Sequence, residues 1–388
     1  MRRTWMAVSL LSLVVSASAP AADDAPQITP GALLAGGDQT RFTLRARAVP
    51  AERLELNVRA QTGLTIVAPP TALVTVEFAD LPAREGAARI GAALGGLVPL
   101  RASWAETAPD ARHPRAETYF LVRPGTRRQQ LLDAYALQQQ GVAHQRLFEL
   151  LTGDGAAVLA DAVTQARDAT RGQPERLVTI KLIGSLGVPE AVPALLAILR
   201  EGPGTRERQS AAFALGWTGR AETAPALRAT LADPDVGVAL AAAWSLVRLG
   251  DTTGVPLALA HLRDAHTISA LFVVAATGDP AHLPALEAAL AGAKGFARLR
   301  LRTTIADLAM ARLDEGGRIE ACGRLLADAD AEVRLHGATT LAKIGSAAAE
   351  RALQRVATDR SHDGAEAAVM GLASLRRSRL PQPDVVFE

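Results

Sequence analysis

One cysteine in 388 residues, Cys322, excludes an intramolecular disulfide and any metal site built on clustered thiolates. It also excludes a lipid anchor on an N-terminal cysteine. Aromatic residues make up only 4% of the chain, against 49% hydrophobic. With Ala and Leu abundant, this favours helices that approach closely through small side chains. Lysine occurs only at 181, 294 and 343. The formal charge of +2 falls to zero once Arg2 and Arg3 are removed with the leader described below. Net charge then gives no support for nucleic-acid binding. After the first residues no run is long and apolar enough to span a bilayer, so no transmembrane segment is expected in the mature chain. The apolar content is too high for a disordered chain, and the length calls for several domains or a repeat array.

The N-terminus reads as an export signal. Met1-Arg-Arg-Thr-Trp5 is a basic n-region, Met6–Ala17 an apolar h-region, and Ala19-Pro20-Ala21 supplies the small residues for cleavage before Ala22. Ala17-Ser18-Ala19 is the other option, but it leaves Pro20 just after the cut. Residues 1–21 are expected to be a signal peptide and 22–40 a flexible leader. The arginine-rich usage and the signal form suggest a bacterium, which makes the periplasm the expected address.

Residues 41–123 read as a small α+β domain. Phe42, Leu44 and Ala46 alternate with polar residues, as in a half-buried strand. Pro50 opens a helix with Leu54 and Val58 on one face, and Gly63 ends it. Strands follow at Leu64–Ala68 and Leu73–Phe78, then a helix from Pro82 with Ile90 and Leu94 inward. Val98–Trp104 and Thr118–Val122 close as a strand pair. The order β-α-β-β-α-β gives a small sheet covered by helices. This module resembles the short N-terminal domain of secretins and TonB-dependent receptors, through Phe42-Thr-Leu44, Gln61-Thr-Gly-Leu-Thr-Ile-Val67, Val74-Thr-Val-Glu-Phe78, Leu81-Pro82 and Thr118-Tyr-Phe-Leu-Val122. The resemblance implies a periplasmic contact domain. Two departures, Glu55-Leu-Asn57 in the first helix and the Pro-rich hairpin tip 105–117, weaken any inference about its partner. No outer-membrane barrel follows, so secretin or receptor function does not carry over.

Residues 126–380 read as helical. Pro193, Pro225, Pro256 and Pro284 stand in near-identical contexts, separated by 32, 31 and 28 residues. Proline in the first turn ahead of an apolar stripe marks a recurring helix start. Gly187, Gly219, Gly250, Gly278 and Gly345 recur in step where a partner helix ends. Two helices per period near 30 predict an α-solenoid, with about six units over 173–380 and a helical cap over 126–172. Aligned on the glycines, Ile183, Leu215, Leu246, Val274 and Leu341 form one buried column and Ile180, Ala212, Ala243, Leu271 and Ala338 the next. The string at residues 325–345, with Asp328, Val333, Arg334, Leu341 and Gly345 in signature places, resembles HEAT repeats, particularly the short type of phycobilisome lyases. Arg208 takes the arginine position in an earlier unit, and Ala239 departs from it. The expected fold is therefore mostly α, a HEAT-like α-solenoid preceded by the small β-α-β-β-α-β domain.

Phe213, Trp244 and Phe272 occupy equivalent positions in successive second helices, flanked by Lys181 and Thr339. Trp217 and Arg248 lie one turn further on. In HEAT arrays the second helices line the concave face, so Phe213, Trp217, Trp244, Arg248 and Phe272 are the candidate partner-binding residues, in a residue class that dominates interface hot spots. Packing between repeats is the competing reading. His261, Asp264, His266 and His282 lack metal-ligand spacing, and His266 is expected to point away from His261. Lys294, Arg298, Arg300 and Arg302, and Arg376, Arg377 and Arg379, read as solvated basic runs. Cys322 reads as a half-buried small side chain. With no Gly-x-Ser-x-Gly elbow, phosphate loop or dinucleotide fingerprint, the chain is expected to have no catalytic residues, no cofactor and no metal. The expectation is a non-enzymatic periplasmic scaffold with protein partners in the cell envelope and no nucleic acid. A small-ligand or glycan binder on the aromatic ridge is the alternative, and a lyase-type enzyme, which the short-repeat resemblance suggests, is a third reading.

Overall fold

The computed structural model describes residues 27–30, 41–62, 64–69, 72–105, 115–137, 141–202, 204–379 and 385–387. The signal peptide expected at 1–21, Gly63 and the hairpin tip at 106–114 lie outside them.

The N-terminal module contains β1 (Gln27–Pro30), β2 (Arg41–Pro50), α1 (Ala51–Thr62), β3 (Thr65–Val67), β4 (Leu73–Pro82), α2 (Ala83–Ala93), β5 (Val98–Ala105) and β6 (Arg115–Val122). Within the leader expected over 22–40, β1 is ordered and pairs antiparallel with β2. One sheet was expected and two are present. The first has the order β1-β2-β4, and the second β3-β6-β5-β7, where β7 (Val386–Phe387) comes from the far end of the chain. The alternation correctly gives faces, because Phe42, Leu44 and Ala46 are all buried. It does not give partners: β2 takes β4, while β3 runs parallel to β6. Bulges interrupt the β2–β4 ladder at Ala48 and Asp80, whose φ angles are 49° and 47°. At each, a threonine hydroxyl replaces the missing ladder acceptor. The Ala48 amide donates to Thr75 Oγ1 and the Asp80 amide to Thr43 Oγ1, both at 2.9 Å.

β6 is buried on both faces and joins the module to the helices. Tyr119 and Leu121 face the core beneath α1 and α2, whereas Phe120 and Val122 face a second core. That core continues into α3 (Arg127–Leu137), α4 (Val142–Gly153), α5 (Gly155–Arg167) and α6 (Gln173–Ser185). A buried polar clamp sits at this junction. Arg171 Nη1 lies 2.6 Å from Asp133 Oδ1 and 3.7 Å from Glu175. The Arg123 amide donates to Asp133 Oδ2 at 3.0 Å, and its guanidinium to Asp168 at 2.8 Å.

Helix pairs follow: α7 (Ala191–Glu201) with α8 (Thr205–Trp217), α9 (Ala224–Thr230) with α10 (Val236–Arg248), and α11 (Val255–Ala260) with α12 (Thr267–Thr277). Then come α13 (Leu283–Leu290) with α14 (Gly295–Met310), α15 (Glu315–Leu326) with α16 (Ala331–Ile344), and α17 (Ala347–Thr358) with α18 (Ala365–Arg379). Each second helix packs on the next, from α6 through α18. All ten residues of the two aligned columns are buried, none more than 2% exposed. Gly187, Gly219, Gly250, Gly278 and Gly345 all have φ between 61° and 85°, a conformation that strains any side-chain-bearing residue by about 1–2 kcal/mol. Small residues set the spacing between second helices. A Cβ on Gly216 would lie 2.5 Å from Ser245 Oγ, which itself donates to the Ala212 carbonyl at 2.8 Å.

The arginine position makes polar contacts from one unit to the next in some units and not in others. Arg208 in α8 reaches Asp233 in the next unit at 3.2 Å, and Arg302 in α14 pairs likewise with Asp328. At the next rung after Arg208, Ala239 offers no cation, and Asp264 turns to His261 in its own unit instead.

Candidate functional site

The helical register puts Phe213, Trp217 and Trp244 on adjacent second helices, and their rings meet. Phe213 and Trp244 have ring centroids 5.2 Å apart, and Trp217 and Trp244 6.1 Å apart, both edge-to-face. Such pairs contribute about 0.5–1.5 kcal/mol beyond their buried area. The Arg248 guanidinium lies over the Trp244 ring, 5.0 Å from its centroid. The aromatic residues are half-buried, and Arg248 is exposed. Inward edges of Phe213 and Trp217 pack on the core shared with the module, and that of Trp244 on the core of the following units. Four of the five candidates thus form one cluster whose roots are structural and whose outer surface is open.

Phe272 stands apart. Among the described residues it makes no ring contact with the other aromatics, and Arg300 approaches it at 6.0 Å instead. Arg300 was read only as part of a solvated run. The signal that could have singled it out is its spacing, since it follows Phe272 by one 28-residue unit. The rest of that run disperses. Arg302 pairs with Asp328 and Asp330, and Arg298 reaches the Leu290 carbonyl at 3.5 Å. In the other run Arg379 pairs with Glu350 at 2.8 Å, while Arg376 and Arg377 are exposed.

The electrostatics of this face are one-sided. Among the described residues of α8, α10 and α12 the sole carboxylate is Glu207, which is buried and bound by Arg176 at 2.7 Å. Asp307 in α14 is held by His336 at 2.8 Å. Lys181, Arg248 and Arg300 have no carboxylate partner among the described residues. Burial pulls the Lys181 ammonium below its ordinary value.

Two expectations for other residues need correction. His266 does not point away from His261, because their rings lie 5.7 Å apart around Asp264. That carboxylate accepts from His261 Nδ1 at 2.5 Å and from the His266 amide at 2.7 Å. The reason is that α11 ends at Ala260, so helical spacing does not apply between the two histidines. Burial raises the Asp264 pKa, and these hydrogen bonds outweigh it, leaving it below the ordinary value. Cys322 is fully buried and not half-buried, with its Sγ 3.8 Å from Met310 Sδ. Burial, with the Asp307 charge adding to it, pushes the thiol up to about 11. A thiol so protonated and enclosed is a poor nucleophile. The native protein is therefore expected to leave Ellman's reagent unreacted at pH 8, and the unfolded protein to react with one equivalent. Rapid native reaction would contradict this packing.

A family model described as HEAT repeats matches residues 192–269, which carry the Phe213–Trp217–Trp244–Arg248 cluster. The helical array is HEAT-like. Among solved structures, human deoxyhypusine hydroxylase in complex with glycerol is 19% identical, covering 63% of this chain and 96% of that one, with a TM-score of 0.28. The complex of CpcE and CpcF of phycocyanin lyase from Nostoc sp. PCC7120 is 20% identical, covering 72% and 95%, with a TM-score of 0.31. No curated protein matches in sequence. These neighbours correct the expectation of a non-enzyme. One is a hydroxylase and the other belongs to a lyase; a fold by itself does not exclude catalysis.

Proposed function

We propose that this HEAT-like protein is a protein-interaction scaffold of the bacterial cell envelope, working in the periplasm, and that the second-helix face grips an acidic partner segment bearing apolar side chains. The observation that carries the reading is the cluster of Trp244 with Phe213, Trp217 and Arg248 on adjacent helices that hold no free carboxylate. Tryptophan and arginine give the largest interface energies because they offer broad contact area and charge-assisted hydrogen bonds. The unpaired cations Lys181, Arg248 and Arg300 set the sign of the partner. The envelope location rests on the leader pattern at Met1–Ala21 and on the resemblance of residues 41–123 to the secretin and TonB-receptor short domain. No helix of the described residues is long and apolar enough to cross a membrane. Glycan binding is less favoured, because Arg248 already covers a face of Trp244 on which a sugar ring would stack.

The test uses labelled peptides of alternating glutamate and aromatic residues, with lysine counterparts as controls. Fluorescence anisotropy is expected to show binding of the acidic set only, weakening with salt. Trp217→Ala/Trp244→Ala and, separately, Arg248→Glu are each expected to weaken it at least about tenfold, or ~1.4 kcal/mol. Equal binding of both peptide sets, or no effect of either variant, overturns the reading.

A further inference from the structure

The second sheet ends in a strand that the domain plan does not require. β7 pairs antiparallel with the outer edge of β5, setting Phe387 opposite Ala102 and Val386 opposite Ser103. The side chains alternate as a strand with one buried face should. Val385 is buried, Val386 is 49% exposed, and Phe387 is half-buried. Val385 and Phe387 belong to the core that also holds Leu100, Ala102 and Phe120. Six peptide links separate Val385 from Arg379 at the end of α18, and they span at most about 22 Å. The end of α18 is therefore within about 22 Å of the strand that pairs with the first domain.

We propose that the outer edge of β5 is a strand-acceptor site and that residues 385–387 are its intramolecular occupant, a latch tying the last repeat back to the N-terminal module. An unpaired strand edge offers a row of backbone donors and acceptors to any extended chain. Among the described residues the latch pairs with Ala102 and Ser103, and so short a strand opens readily. An extended apolar segment from a partner, with the same alternation, competes for this edge and frees the end of the array. This inference is independent of the aromatic face.

Hydrogen exchange on the full chain tests it. Val385→Asp/Phe387→Asp is expected to raise exchange of the β5 amide that points to β7, one of the two at Ala102 and Ser103, about tenfold or more and to leave α8 and α10 unchanged. A peptide of residues 383–388 added to that variant is expected to restore protection. Unchanged β5 exchange in the variant, or failure of the peptide to restore it, overturns the proposal. A second pair, Ser103→Cys/Val386→Cys, is expected to form a disulfide within one chain. A cross-link only between chains, or none, also overturns it.

Discussion

Leu246→Asp is expected to break the array in the middle. Leu246 is wholly buried on α10, between Leu215 on α8 and Val274 on α12 in the same column. The substitution loses the apolar contacts of a leucine and places a carboxylate where the adjoining column offers only Ala212, Ala243 and Leu271. A buried, unpaired charge together with lost packing costs about 4 kcal/mol or more. That is a large share of the 5–15 kcal/mol or so that holds a typical domain folded. In a repeat array each unit is stabilised mainly by its neighbours, so the loss separates the units before α10 from those after it. Thermal denaturation should show the midpoint falling by about 10 °C or more, at roughly 2–4 °C per kcal/mol. It should also show the single transition splitting in two, because Leu246 belongs to the core that runs from β6 through α10, while the units from α11 on are held by a separate core. An unchanged midpoint would mean that α10 is rotated from the register described.

Arg171→Ala is expected to be nearly as damaging, for a different reason. Arg171 and Asp133 are 12% and 6% exposed, and Arg171 also neutralises Glu175. Removing the cation leaves two enclosed carboxylates without their main counter-charge, at a cost of about 3–5 kcal/mol. Burial already raises the Glu175 pKa, while the Arg171 charge lowers it, so in the variant it rises further. A carboxyl with a raised folded-state pKa destabilises the fold when ionised. The deficit of the variant is therefore largest at neutral pH and shrinks as pH falls through that pKa. Adding Asp133→Asn should recover much of the loss, since asparagine still accepts from the Arg123 amide without carrying charge. Urea denaturation of the single and double variants measures this coupling. Additive losses, or a deficit independent of pH, would show that the clamp is not electrostatic.

Local pattern made much of this fold legible. The recurring glycines needed positive φ, and the residues three apart on the second helices needed burial, because both follow from helix geometry alone. The meeting of Phe213, Trp217 and Trp244 followed from the same register. Long-range pairing was not legible. Nothing near Gln27 or Val386 names β2 or β5 as its partner, and the pattern at Thr65–Val67 cannot say that the strand runs parallel to β6. The place of His266 beside His261 was not legible because α11 is a short helix that ends at Ala260, and helical spacing stops with it. The full burial of Cys322 was not legible, because Met310, which packs against it, lies in a unit without the repeat's glycine.

The central claim is that the second-helix face around Trp244 is where a partner binds. Photo-cross-linking in intact cells tests it most directly, with a benzoylphenylalanine replacing Trp244 and, as control, the exposed Gln354 on α17. A discrete adduct from position 244 alone is the predicted result, with the cross-linked peptide carrying net negative charge and the adduct lost on Arg248→Glu. Adducts of equal yield from both positions, or none from position 244, would contradict it.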